Sequence, residues 1–124
     1  MRLYAAALAL AALVLTDPAH AQGASALDVT RAIRASWYDC KKPGECSRHK
    51  ITANGERFNP SARTCAHRTL RFGTRLRVTH RGRSVICRVN DRGPFIKGRS
   101  LDLSAGSARA IGMPGVNLVT VERF

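Results

Sequence analysis

The sequence predicts a mostly-β domain of barrel type, made of several short strands and one short helix. Three observations predict it. Apolar and polar residues alternate with period two in separate stretches. Helical patterning is confined to one brief segment, and Gly, Pro and Asn punctuate the gaps at Asn54-Gly55, Gly82, Gly93-Pro94 and Met113-Pro114-Gly115. At 124 residues the chain holds one domain's worth of sequence, and 44% hydrophobic residues suffice for one small core.

The first strand is expected from Ile33, where Ile33, Ala35 and Trp37 alternate with Arg34, Ser36 and Tyr38. Leu76 and Val78 alternate with Arg75 and Arg77 in the same way, Val85, Cys87 and Val89 form another apolar face, and Val116 to Phe124 reads as the last strand. The helix is expected around Ser104–Ile111, started by Asp102 or Ser104 as cap and stopped by Gly112. Several short strands with one helix in so short a chain suggest a small closed barrel.

Residues 1–21 have the layout of a secretory signal peptide. Met1-Arg2 is followed by an uncharged apolar run from Leu3 to Leu15, then Asp17-Pro18 and the small-x-small site Ala19-His20-Ala21. That run is shorter than the roughly 20 residues that span a bilayer, so stable membrane insertion is not expected. The expected division is signal peptide 1–21, flexible leader 22–32 and folded domain 33–124, cleaved near Ala21 and exported to the periplasm or beyond. No cysteine lies near the cleavage site, so no lipid anchor is expected there. Export makes Cys40, Cys46, Cys65 and Cys87 candidates for two disulfides. Of the three pairings, Cys40–Cys46 and Cys65–Cys87 are favoured, the first closing a short loop and the second joining two strands. The rival is a zinc site of Cys40, Cys46 and His49, whose spacing fits no common structural pattern, and no metal or organic cofactor is expected.

Lys and Arg number 21 against 8 Asp and Glu, a net charge of +13 spread along the chain. A polyanionic partner is implied. Export argues against nucleic acid and for cell-wall glycan, lipopolysaccharide or teichoic acid. In so basic a chain each acid has to be accounted for. Glu56 follows the Asn54-Gly55 turn, Asp91 ends an apolar strand in Asn90-Asp91-Arg92-Gly93-Pro94, and Asp102 lies between Leu101 and Leu103. Each has a structural explanation: a loop charge for Glu56, a turn residue for Asp91, a helix-start or buried carboxylate for Asp102. His49 and His80, flanked by basic residues, are expected to be solvated. Trp37 and Tyr38 can stack on sugar rings, with core packing the alternative for Trp37.

The order of these segments is more informative. Ala35-Ser36-Trp37-Tyr38, Thr52-Ala53-Asn54-Gly55-Glu56-Arg57-Phe58, Ala66-His67-Arg68-Thr69-Leu70 and Phe72-Gly73-Thr74 are followed by Gly82-Arg83-Ser84-Val85, Asn90-Asp91-Arg92-Gly93-Pro94-Phe95, Gly98-Arg99 and Leu101-Asp102-Leu103-Ser104. Together they resemble the rare lipoprotein A (RlpA) family, from about Ala35 to the C-terminus. This chain looks like a short exported member without the lipobox cysteine or a sporulation-related repeat, and with a shortened His80–Gly82 loop.

The resemblance implies a six-stranded double-psi β-barrel with one or two short helices, related to expansins. It also implies an endolytic peptidoglycan lytic transglycosylase that cleaves MurNAc–GlcNAc bonds and leaves 1,6-anhydro ends. Carried over by motif, the catalytic residues are Asp91, Glu56 and His67, with Asp91 acting first as acid and then as base. Tyr38, Arg68, Arg92 and Asp102 are the substrate-binding candidates, the partner is the peptidoglycan glycan strand, and a monomer is expected. A catalytic role requires Glu56, His67 and Asp91 to converge on one groove. The alternatives are a non-catalytic, expansin-like wall-binding module and a secreted cationic effector.

Overall fold

A computed structural model describes residues 30–124, so the expected signal peptide and residues 22–29 of the leader lie outside the described residues. Six strands close into one barrel: β1 (Arg31–Tyr38), β2 (Thr64–Ala66), β3 (Arg75–His80), β4 (Arg83–Asp91), β5 (Leu101–Ser104) and β6 (Asn117–Arg123), with helix α1 (Ala105–Ala110) following β5. Round the barrel the order is β1-β5-β2-β4-β3-β6. The β1–β5 and β2–β4 pairs are parallel and the other four are antiparallel.

The alternating strands bury the faces their patterns indicate. Leu76, Val78, Val85, Cys87 and Val89 pack inside with Leu101, Leu103 and Val119, and α1 adds Ala108 under Ile111. β1 starts at Arg31, two residues before its alternation, because Arg31 and Ala32 pair with Val121 and Thr120 of β6. β2 and β5 carry no alternation to detect: the three residues of β2 are all buried, and only Asp102 of β5 is not. A strand covered on both faces loses the period-two signal. β3 and β4 are joined by a two-residue turn in which Arg81 and Gly82 both have positive φ, +46° and +80°, as a tight hairpin matching the strand twist requires.

Two sequence expectations change at β1 and β3. Trp37 is exposed at the barrel rim, its Nε1 donating to the Pro114 carbonyl (3.2 Å), whereas Tyr38 is buried. The reason is that residues 39–62 fold back over the outer face of β1. Tyr38 therefore stacks on Phe58 (centroids 4.7 Å apart) in a second small core with Cys40 and Ala66. His80 is buried rather than solvated, its Nδ1 3.2 Å from the Ile111 carbonyl.

Both favoured disulfides are present, Cys40–Cys46 and Cys65–Cys87, with Cα separations of 5.3 and 5.8 Å. The pairing of Cys40 with Cys46 removes the zinc alternative. Among the described residues no helix is long and apolar enough to cross a membrane. Ser104 caps α1, accepting from the Ser107 N–H (3.1 Å), and its hydroxyl donates to the Ala62 carbonyl. The Gly106 N–H donates to the Pro60 carbonyl at 2.6 Å. A Cβ on Gly106 meets the Ser61 carbonyl oxygen at 2.6 Å, so the covering segment rests directly on this helix.

Gly106→Ala is therefore expected to lower stability by about 1–3 kcal/mol, and the double substitution Cys65→Ala/Cys87→Ala by about 2–5 kcal/mol. Both are read as lower urea midpoints.

Candidate active site

The barrel's outer face, beneath the 39–62 segment, carries Asp91 and Asp102. Cross-strand register places Ser36 of β1 opposite Asp102 of β5, Asp102 opposite Ala66 of β2, and Ala66 opposite Asp91 of β4. These four residues form one row across four strands. The register between β2 and β4 shifts at Cys65/Ala66, skipping Asn90. Such a bulge re-aims side chains, and it allows Asn90 and Asp91 to serve different partners. Ala66, between the two carboxylates in the row, is buried under Tyr38 and Phe58.

Asp91 receives three hydrogen bonds. Its Oδ1 accepts from the Ala53 N–H (2.9 Å) and the Arg92 N–H (2.9 Å), and its Oδ2 accepts from the Tyr38 hydroxyl (3.0 Å). Burial, with Asp91 alongside, pushes the Tyr38 phenol well above its ordinary value, so it remains a donor. Asp91 lines a groove of about 470 Å³ with Arg92, Thr52, Ala53, Phe58 and Glu45. Glu45 also borders a neighbouring hollow of about 390 Å³ lined by Ser36, Trp37 and Arg99.

Asp102 is the other carboxylate of the row and is only partly exposed. Its Oδ1 accepts from the Ser36 hydroxyl at 3.1 Å. Burial pushes it up to about 6; Glu45 and Asp91 push the same way, while the Ser36 hydrogen bond and Arg99 oppose. Asp102 does not cap α1, a task that falls to Ser104.

Glu56 and His67 do not share this groove. Glu56 is chelated by Arg88, Oε1 to Nη1 at 2.6 Å and Oε2 to Nη2 at 2.9 Å, and accepts from the side-chain amides of Asn54 (2.8 Å) and Asn90 (3.2 Å). These bonds, Arg88 foremost, hold its carboxyl at about 2. Glu56 thereby clamps the 52–58 turn to β4, and that turn presents the Ala53 N–H to Asp91. The turn closes on Gly55, whose φ of +92° only glycine adopts readily.

His67 lines a separate cavity of about 700 Å³ with Arg68, Leu70 and Leu101. Its Nδ1 accepts from the Thr69 and Leu70 N–H groups (3.1 and 3.0 Å), which leaves the proton of the neutral ring on Nε2. Burial, Arg68 and Arg92 together lower its affinity for a second proton. Arg92 donates to the His67 and Leu70 carbonyls (3.1 and 2.7 Å) and stacks on Phe72, 3.9 Å from the ring centroid. It braces the 67–72 loop and also borders the Asp91 groove. Arg68 lines the His67 cavity, and Tyr38 is buried under Phe58. Sequence reasoning missed Ser36, the Ala53 N–H, Asn90 and Arg88. The alternation of β1 was the available signal for Ser36; the other three become visible only through contacts 30 or more residues away in sequence.

Comparison with known proteins adds identity to this geometry. Residues 30–123 match the family model described as lytic transglycolase. The chain is 62% identical over 81 residues to a probable endolytic peptidoglycan transglycosylase RlpA of Synechocystis sp., a match covering 64% of this chain and 24% of that protein. It is 48% identical over 81 residues to the endolytic peptidoglycan transglycosylase RlpA of Campylobacter jejuni, covering 64% and 28%. The chain thus spans about a quarter of the length of these curated relatives. In fold it is similar to the Streptomyces papain inhibitor, with TM-score 0.59, 18% identity and coverage of 79% and 96%. It is also similar to a rationally designed DPBB protein, with TM-score 0.50, 15% identity and coverage of 77% and 99%. The barrel is a double-psi β-barrel.

The Glu56 clamp makes a pH-dependent prediction. Its carboxyl titrates at about 2 in the fold against an ordinary 4.5. Its contribution to stability is complete above pH 4.5 and is lost as the pH falls through that range toward 2. Glu56→Gln should leave melting temperature less dependent on pH between 2 and 4.5 than in the wild type, as measured by thermal unfolding across that range.

Proposed function

The chain belongs to the lytic transglycolase family, and from that premise we propose that it cleaves the β-1,4 bond between MurNAc and GlcNAc in peptidoglycan, leaving 1,6-anhydro-MurNAc ends. The observation that carries the proposal is Asp91: a carboxylate fixed by three donors from separate parts of the chain, on the wall of an open groove. Breaking the bond between C1 and its leaving oxygen requires a proton on that oxygen while positive charge builds on the sugar ring. The 6-hydroxyl of the same muramoyl residue then bonds to C1 and gives up its proton, so no water is consumed. Leaving oxygen and 6-hydroxyl lie on the same face of the sugar, and one carboxyl can serve first as acid and then as base.

In this scheme Asp91 meets the reacting sugar. Glu56 and His67 act from behind it as positioning residues, one holding the turn that carries Ala53 and the other holding the 67–72 loop. The net charge of +13 favours association with the anionic wall. Two disulfides fit a site of action outside the cytoplasm, in the periplasm or beyond. A wall-binding module without cleavage is the second possibility, and one observation favours it: Glu56 and His67 do not face the Asp91 groove.

Digestion of amidase-treated glycan strands, followed by mass spectrometry, separates the two. Cleavage predicts anhydromuramoyl ends that fall at least about a hundredfold in Asp91→Asn without loss of strand binding. Strand binding with no product from the wild type would establish the binding module instead.

A further inference from the structure

We propose that Trp37 is the platform of a second glycan subsite, on which one sugar ring of the wall strand stacks while the lactyl carboxylate of a muramoyl residue meets Lys42 and Arg99. The proposal takes from the reading above only the ligand, a glycan strand, and does not depend on its cleavage.

The first support is the ring itself. Trp37 is the only tryptophan of the chain. It pairs in register with the core residue Leu103, yet it sits at the barrel rim and is 37% exposed. Its Nε1 donates to the Pro114 carbonyl at 3.2 Å. That bond satisfies the one polar atom of the indole and fixes the ring, so the surface left uncovered is apolar and held in place. The face of an aromatic ring is electron-rich, and the C–H groups on one side of a pyranose carry the opposite partial charge. A ring already held gives up little freedom when a sugar settles on it.

The second support is the hollow beside the ring. Trp37 lines a space of about 390 Å³ with Lys41, Lys42, Arg99, Pro114 and the exposed Val116. Concave surfaces that join apolar walls to a few polar groups are the usual form of a ligand site. Glu45 borders both this hollow and the Asp91 groove, so the two adjoin at the Cys40–Cys46 loop. Ser36, next to Trp37, and Asp91 stand at opposite ends of the four-strand row, three strand spacings or roughly 14 Å apart. A polymer of several sugars covers that length by passing over the loop, outside the buried Tyr38–Phe58 stack; a single sugar does not.

The third support is charge. Asp39 is engaged by Lys41 at 3.5 Å, and Glu45 accepts from the Lys42 N–H at 3.3 Å. Among the described residues Lys42 and Arg99 form no ion pair. Two such cations beside an aromatic platform fit a polymer in which uncharged sugars alternate with sugars that bear a carboxylate.

The sole tryptophan makes the test direct. Amidase-treated glycan strands, and chitohexaose, which has no carboxylate, are titrated into the full chain while tryptophan emission is recorded. Both should shift the emission to the blue and saturate. The strands should bind more tightly at low salt and lose that advantage at high salt. Trp37→Ala, with an unchanged circular dichroism spectrum, should weaken calorimetric binding of both ligands about three- to tenfold, and Trp37→Phe should retain most of the affinity. Lys42→Ala should weaken the strands alone. Strands that bind without moving the emission, and bind Trp37→Ala as tightly as the wild type, would overturn the platform, as would a wild type that binds neither ligand. Equal weakening of both ligands by Lys42→Ala would overturn the carboxylate contact. A wild type whose emission responds to strands but which forms no anhydromuramoyl ends upholds the subsite and overturns the cleavage reaction instead.

Discussion

The hydrogen bond from the Ala53 N–H to the Asp91 carboxylate joins two parts of the molecule that nothing in local structure brings together. Asp91 ends a barrel strand, whereas Ala53 belongs to an irregular segment crossing the barrel's outer face. Glu56 ties that segment to Arg88 and Asn90 on the same strand. The Tyr38–Phe58 stack pins it to β1, and the Pro60–Gly106 contact seats it on the helix. Each of these contacts serves to keep a turn, its glycine and one backbone N–H at a fixed distance from a carboxylate. An acid so placed has defined geometry, which catalysis requires more than it requires any particular acidity.

The same covering segment explains the electrostatics. A chain with 21 basic and 8 acidic residues tends to hold its carboxylates ionised, and Glu56, on Arg88, follows that tendency. Asp102 escapes it because the cover excludes water and two other acids, Glu45 and Asp91, share its surroundings. Desolvation outweighs the one nearby arginine. A strongly basic surface and a sheltered acid that titrates at about 6 are thus compatible in a small domain.

How much of this was legible beforehand differs from element to element. Leu76, Val78, Val85, Cys87 and Val89 announced their burial by alternation, because those strands have one dry and one wet face. The pairing Cys65–Cys87 followed from expecting two strands side by side, and Ser104 or Asp102 as helix start followed from capping chemistry. The burial of Tyr38 is not legible in the alternation, since period two cannot reveal that a distant loop will roof the outer face of β1. Glu56 and His67 were placed with Asp91 by motif. Glu56 bonds to Arg88 and Asn90, and His67 lines a separate cavity; spacing along a sequence does not distinguish one groove from two.

Strand periodicity, cysteine count, turn residues and motif order are properties of neighbours in the chain, and they determined a small, disulfide-bonded β-barrel. Which carboxylates stand together is a property of register. Ser36, Ala66, Asp91 and Asp102 are spread over 66 residues of sequence and meet in one row only after four strands pair, with a bulge at Asn90 setting the alignment. Burial beneath the covering loop then raises Asp102 to about 6, because desolvation depends on what surrounds a group in three dimensions.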